Sequence, residues 1–211
     1  MANVWDYCPH TVSLDELCTK YGVGAANPSE RVLMSQGARS TVAALFTDWD
    51  KGSYLFQESD GDHNHAEALL LKSEKWLIEI PAHLKKLGDS GVVKPVEIGI
   101  VINRSPCRGK GHDHPDPDQR GCSFKLASGL RDLLAKAPKG VEVTARLAML
   151  GAYEGKAGPT SYQNLDGLIK AGWTLNALGL PSGMPTANGQ LLRSAIMESH
   201  DRVRRQRAAG R

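Results

Sequence analysis

The sequence predicts a three-layer α/β/α sandwich on a five-stranded mixed sheet whose last two strands run parallel. Three observations carry that prediction. Residues 95–102 (PVEIGIVI) are almost wholly apolar, as a central strand covered on both faces requires. The later strands are separated by helical segments of ten or more residues, so neighbours must pair in parallel through crossovers. Ahead of them, two strand-like runs meet at a short polar turn and read as an antiparallel hairpin.

The elements follow in order. Ser13 and Glu16 have capping-box spacing, and Leu14, Leu17, Cys18 and Tyr21 share a helical face, so a helix is expected over 13–21, ending at Gly22. Residues 23–38 read as a long loop with a short strand. The hairpin strands are 41–47 and 53–57, followed by a polar loop at 58–64. A helix starts at His65 and is expected to run to Pro81, with Leu69, Leu70, Trp76, Leu77 and Ile80 as its apolar stripe. After the strand at 95–102 and a polar loop over 108–121 comes a helix at 122–137, whose apolar side carries Leu126, Leu130, Leu133 and Leu134. Residues 141–149 form the next strand, 162–171 a helix capped by Gly172, 173–178 the last strand, and 188–207 a closing helix. One domain is expected over 1–211, with its core at about 40–180, an N-terminal helix and loop at 1–39, and a basic helix and tail at 188–211.

A hydrophobic fraction of 41% and a charged fraction of 23% exclude wholesale disorder, collagen-like repeats and a disulfide miniprotein. No run approaches the roughly 20 apolar residues a bilayer demands. The start, MANVWDYCPH, has neither a basic nor an apolar leader region, so the expected compartment is the cytoplasm, with no membrane and no obligate protein partner. Net charge is only +3, yet residues 202–211 carry five arginines and no acid. Such a tail suits either phosphate neutralisation or a solvated helix end with a favourable macrodipole. Four cysteines (Cys8, Cys18, Cys107, Cys122) in a chain without a leader point to metal ligation or burial in place of a disulfide framework.

The chemistry-bearing pattern is His65-Ala66-Glu67 at one helix start, Ser105-Pro106-Cys107 after the next strand, and Cys122 at the following helix start. H-x-E, then P-C, then C is the pattern of zinc-dependent nucleobase deaminases. One imidazole and two thiolates leave a tetrahedral zinc with one open position, the arrangement of a catalytic site. Helix N-termini favour thiolate and hydroxide at these positions. Glu67 then serves as proton shuttle and not as ligand. His112 and His114 are the replacement candidates for Cys122, and their loop, GHDHPDPD, is either solvated or a second metal site.

Beyond the metal pattern the chain resembles the AID/APOBEC-type polynucleotide cytidine deaminases, including their bacterial branch. HAEALLL is similar to the family's H-A-E helix start and NRSPC to its S-P-C signature. CSFKLASGLRDLLAKAPKGVEVTARLAML resembles the run from the second zinc cysteine into a strand ending A-R-L, and SYQNLDGLIKAGWTLNAL the next helix and fifth strand. The likeness spans roughly residues 62–178. About two dozen residues, including a helix, separate the last two strands, which forces a parallel crossover and excludes the hairpin layout of free-nucleoside deaminases.

The resemblance implies a cytidine-deaminase-like sandwich, one zinc ion held by His65, Cys107 and Cys122, and Glu67 as the catalytic acid/base. The implied reaction is hydrolytic deamination of cytosine to uracil in nucleic acid, with single-stranded DNA as the expected partner. The backbone near Ala66 and Ser105 would hold the pyrimidine edge. The alternatives are a mononucleotide or tRNA deaminase, and a zinc-stabilised nucleic-acid-binding module without activity. The chain departs from the family in three places. Fourteen residues separate its cysteines where the family has two to four, at a loop-closure cost of roughly 1–2 kcal/mol. Arg104 and Ala148 occupy positions that are usually aromatic, and Tyr153 is the expected substitute ring.

Overall fold

The apolar run forms β4 (Val96–Ile102), which lies inside the sheet with strands on both sides. The computed structural model describes residues 11–24, 27–35, 41–50, 53–60, 65–91, 95–104, 106–107, 115–116, 120–151, 165–179 and 187–210. β2 (Val42–Thr47) and β3 (Leu55–Glu58) make the expected antiparallel hairpin, and β2 also pairs antiparallel with β4. β4 pairs in parallel with β5 (Val143–Met149), and β5 with β6 (Trp173–Gly179), so the last two of the five expected strands are parallel. A sixth strand, β1 (Thr11–Ser13), adds in parallel to the outer edge of β6, pairing Thr11 with Ala177. The order across the sheet is β1-β6-β5-β4-β2-β3.

Alternation along the strands divides the core between two faces, each covered by helices. On one face Ile98, Ile100, Ile102, Leu147 and Leu175 pack beneath α3 (Ala66–Lys72), α4 (Ile80–Ser90), α5 (Cys122–Lys136), α6 (Leu165–Ala171) and α7 (Ala187–Ala209). On the other, Val42, Ala44, Phe46, Val101 and Ala148 meet α1 (Leu14–Tyr21) and α2 (Pro28–Ser35). Tyr21 stacks on Phe46 with ring centroids 3.9 Å apart. The Phe46 ring in turn occupies the space over Gly99, where a Cβ would sit 1.9 Å from Cε2. This second face also buries charge. Glu97 accepts from the Tyr21 hydroxyl and pairs with Arg146 at 3.1 Å and Lys20 at 3.5 Å, which fastens α1 across the start of β4.

Two expectations are corrected. The segment read as loop and strand at 23–38 contains α2. Asn27 starts that helix by accepting from Ser29, through the backbone N–H at 3.3 Å and the hydroxyl at 2.6 Å, and Pro28 supplies a fixed φ at the first helical position. The helix expected to stop at Pro81 instead breaks early and then continues. Ser73 ends α3 in extended conformation (φ −72°, ψ 156°), a π-helical segment follows over Lys75–Glu79, and α4 runs on to Ser90 with Pro81 in its first turn. Pro81 stands at the second position of α4, directly after the π-helical segment. The π-helical turn carries Lys75 inward, where Nζ bonds Asp50 Oδ2 at 3.1 Å and the Ser53 carbonyl at 2.9 Å, and leaves Leu77 and Ile78 each 60% exposed. At the other end of the chain, Gly172 (φ 111°) closes α6 through its N–H to the Ile169 carbonyl and turns directly into β6. Among the described residues no helix is long and apolar enough to cross a membrane.

Candidate metal centre

Parallel strands place the connections that follow them at one end of the sheet, and the sequence pattern converges there. β3 runs toward that end and leads to His65, β4 leads to Cys107, and Cys122 opens α5. His65 is the N-cap of α3, extended at φ −69°, ψ 142°, and its side chain makes no capping bond. The imidazole is therefore turned away from the helix N–H groups. Its Nδ1 lies 3.3 Å from Cys107 Sγ and 3.2 Å from Cys122 Sγ. The ligand atoms of all three residues fall within 4.8 Å of one another, so the group can hold a metal ion. Tetrahedral zinc, with bonds near 2.3 Å to sulfur and 2.0 Å to nitrogen, would set N and S donors about 3.5 Å apart, close to what is observed.

Cys107 is fastened to the helix that carries the other thiol. The backbone N–H and the hydroxyl of Ser123 both donate to the Cys107 carbonyl at 3.2 Å. Ser123 is buried and was not singled out in the sequence; a serine in the first turn of a helix, next to a ligand cysteine, is the signal that could have found it. At the end of β4, Asn103 is also buried and exchanges bonds with Val42, its Oδ1 accepting from the Val42 N–H at 2.9 Å. That bond fixes the strand end from which the chain proceeds to Cys107.

The electrostatics are those of a coupled donor set. The Cys122 thiol bonded to Cys107, with help from His65, lowers the Cys107 thiol to about 4 against the opposing effect of burial. The same bond and burial push Cys122 well above the ordinary thiol value. A cation held by both sulfurs would take the place of any thiol proton. Glu67, 2% exposed in the first turn of α3, is pushed up to about 7, first by burial and then by the Cys107 charge. Its Oε2 is buried without a hydrogen-bond partner. A carboxylate oxygen of this kind, beside three metal donors that leave a fourth position open, is an acceptor in need of a polar ligand.

Of the expected site residues, His65, Cys107, Cys122 and Glu67 are brought together, and Ala66 is buried between two of them in sequence. Ser105 and Tyr153 lie outside the described residues, as do His112 and His114 and most of 108–121. The arginine-rich tail is elsewhere. Arg202 makes a two-pronged ion pair with Asp166 at 2.7 and 2.8 Å, and Arg207 donates to the Ile169 carbonyl at 3.4 Å. Ile169 lies just before the start of β6, so Arg207 sits at the end of the sheet opposite the metal cluster, while Arg202 is held to the start of α6. Near the cluster, Arg120 stacks over the Phe124 ring at 4.7 Å, flanking Cys122 on both sides in sequence. In comparison with known proteins, no family model and no curated protein matches the chain.

Proposed function

We propose that the protein is a zinc-dependent deaminase that converts cytosine to uracil in nucleic acid, with single-stranded DNA as substrate. The observation that carries this reading is the buried Glu67 carboxyl, with an orphaned oxygen, beside a His/Cys/Cys donor set that supplies three of the four ligands of a tetrahedral ion. Two sulfur donors and one imidazole favour zinc over the harder divalent ions. When bound by His65, Cys107 and Cys122, zinc supplies a Lewis acid that makes water acidic enough to react near neutral pH.

The chain's own residues do the rest. Glu67, buried beside the donor set, takes a proton from water and delivers it to the ring N3. A second proton passes by the same carboxyl to the exocyclic amine. The C4–O bond forms, the C4–N bond breaks, and ammonia leaves with both protons accounted for. A purely structural zinc site has no use for a buried acid at this position, which argues against the inactive binding module.

The test is to incubate zinc-loaded protein with a random single-stranded DNA pool and sequence it for C-to-T changes. Conversion is expected for wild type and none for Glu67→Ala, which keeps its zinc. Zinc loss in that variant would show that ligand and shuttle are misassigned. A wild type that converts no polynucleotide but deaminates free nucleotides would overturn the substrate class.

A further inference from the structure

An open groove of about 330 Å³ runs between α3–α4 and α5 on the outside of the helical layer. It begins one residue from Glu67, at Ala68, and two residues from Cys122, at Phe124. Its walls are apolar: Leu71, Trp76 and Leu77 on one side, Phe124 and Leu133 on the other. Its rim is cationic, with Lys72, Lys125 and Lys136 against the single acid Asp132. Leu77 is 60% exposed on this wall. The depth of the groove depends on Gly129, where a Cβ would press to 3.1 Å from Leu71.

We propose that this groove is a track for the polynucleotide strand leaving the reacting base, and this rests on the polynucleotide reading above. Three features of the groove fit a strand. Positive rim and apolar walls are what a single strand meets when its phosphates pair with lysine and its bases lie on apolar or aromatic faces. The Arg120–Phe124 stack, two residues either side of Cys122 in sequence, adds a further positive charge at the end of the groove that starts α5. The track also has length: Lys125 and Lys136 are eleven residues apart on α5, about 16 Å along its axis. A longer strand reaches contacts that a short one does not. An acidic amphipathic peptide is the other ligand such a groove would take, and the experiment separates the two.

The experiment uses zinc-loaded full-length protein and fluorescent single strands of about 5 and about 16 nucleotides, each with one cytosine near its 5′ or 3′ end. Binding by anisotropy over a salt series, and deamination of the same strands, are measured for wild type and for Lys72→Gln/Lys136→Gln. The wild type is expected to bind the longer strand more tightly. In the variant that advantage should shrink several-fold, and the salt slope for the longer strand should fall by about 0.7 per lysine. Circular dichroism and zinc content confirm that the variant is folded. An unchanged length advantage and salt slope in the variant, with deamination intact, overturns the track alone and leaves the groove to a peptide. A wild type that neither binds nor deaminates either strand overturns both proposals.

Discussion

Glu67→Gln should stabilise the metal-free protein, and should do so only at neutral and alkaline pH. The side chain is 2% exposed and its carboxyl is raised by burial from 4.5 to about 7. Below the unfolded value the acid is neutral in both states and costs nothing. As pH rises from 4.5 to 7 the unfolded chain ionises while the folded one resists, so stability falls through that window and the loss is complete above it. A shift of this size corresponds to about 3 kcal/mol at pH 8 and under about 1 kcal/mol at pH 5. Glutamine has nearly the same shape and no charge, so it escapes the penalty. For a chain of this length the gain at pH 8 translates to roughly 6–12 °C in Tm. The assay is thermal or urea unfolding of chelator-treated wild type and variant from pH 4 to pH 9. The difference between the two curves reports the Glu67 carboxyl together with its coupling to the two thiols. A difference that is flat with pH, or that grows as pH falls, would refute the claim that burial of the Glu67 carboxylate outweighs its hydrogen bonds in this site. The same variant should have no turnover, so its stability would come at the expense of chemistry.

Two further predictions concern the frame around the site. Ser123→Ala removes one of the two bonds to the Cys107 carbonyl and should weaken zinc affinity about 2- to 10-fold, from roughly 0.5–1.5 kcal/mol, as read by competition with a chromogenic chelator. Unchanged affinity would mean the backbone N–H alone holds Cys107. Gly99→Ala forces a methyl into the Phe46 ring and should lower stability by about 1–3 kcal/mol in urea unfolding, with zinc stoichiometry intact. A neutral result would show that Phe46 has room to turn aside.

The sheet was legible wherever the residues dictated their own surroundings. PVEIGIVI has no polar side suited to water, so it could only be an inner strand, and the helical spacers around it left no choice of direction for β5 and β6. β1 is three residues long and exists by pairing with β6, an interaction that local sequence does not encode. The helix at 28–35 was legible in principle, since Asn-Pro-Ser-Glu places a cap and a first-turn proline in order. The continuation past Pro81 was not, because a π-helical turn depends on Lys75 finding Asp50 and Ser53 far away in sequence. At the site, His65, Cys107 and Cys122 were identified from spacing and residue type, and the structure gathers them. The bond between Ser123 and Cys107 was hidden, since neither residue marks the other without the fold. The arginines near the C-terminus read equally as phosphate contacts or as a solvated helix end, and charge alone could not show that Arg202 pairs with Asp166 or that Arg207 bonds the Ile169 carbonyl.

The bonds from Ser123 to the Cys107 carbonyl make the segment between the cysteines a bracketed cassette. Both of its ends are held by the start of α5, one by peptide continuity and one by hydrogen bonds. Metal geometry is then set by the bracket and is indifferent to how many residues it encloses. A longer or shorter stretch there would change the loop-closure cost only slowly, while the bonds from Ser123 would still hold Cys107 at the start of α5.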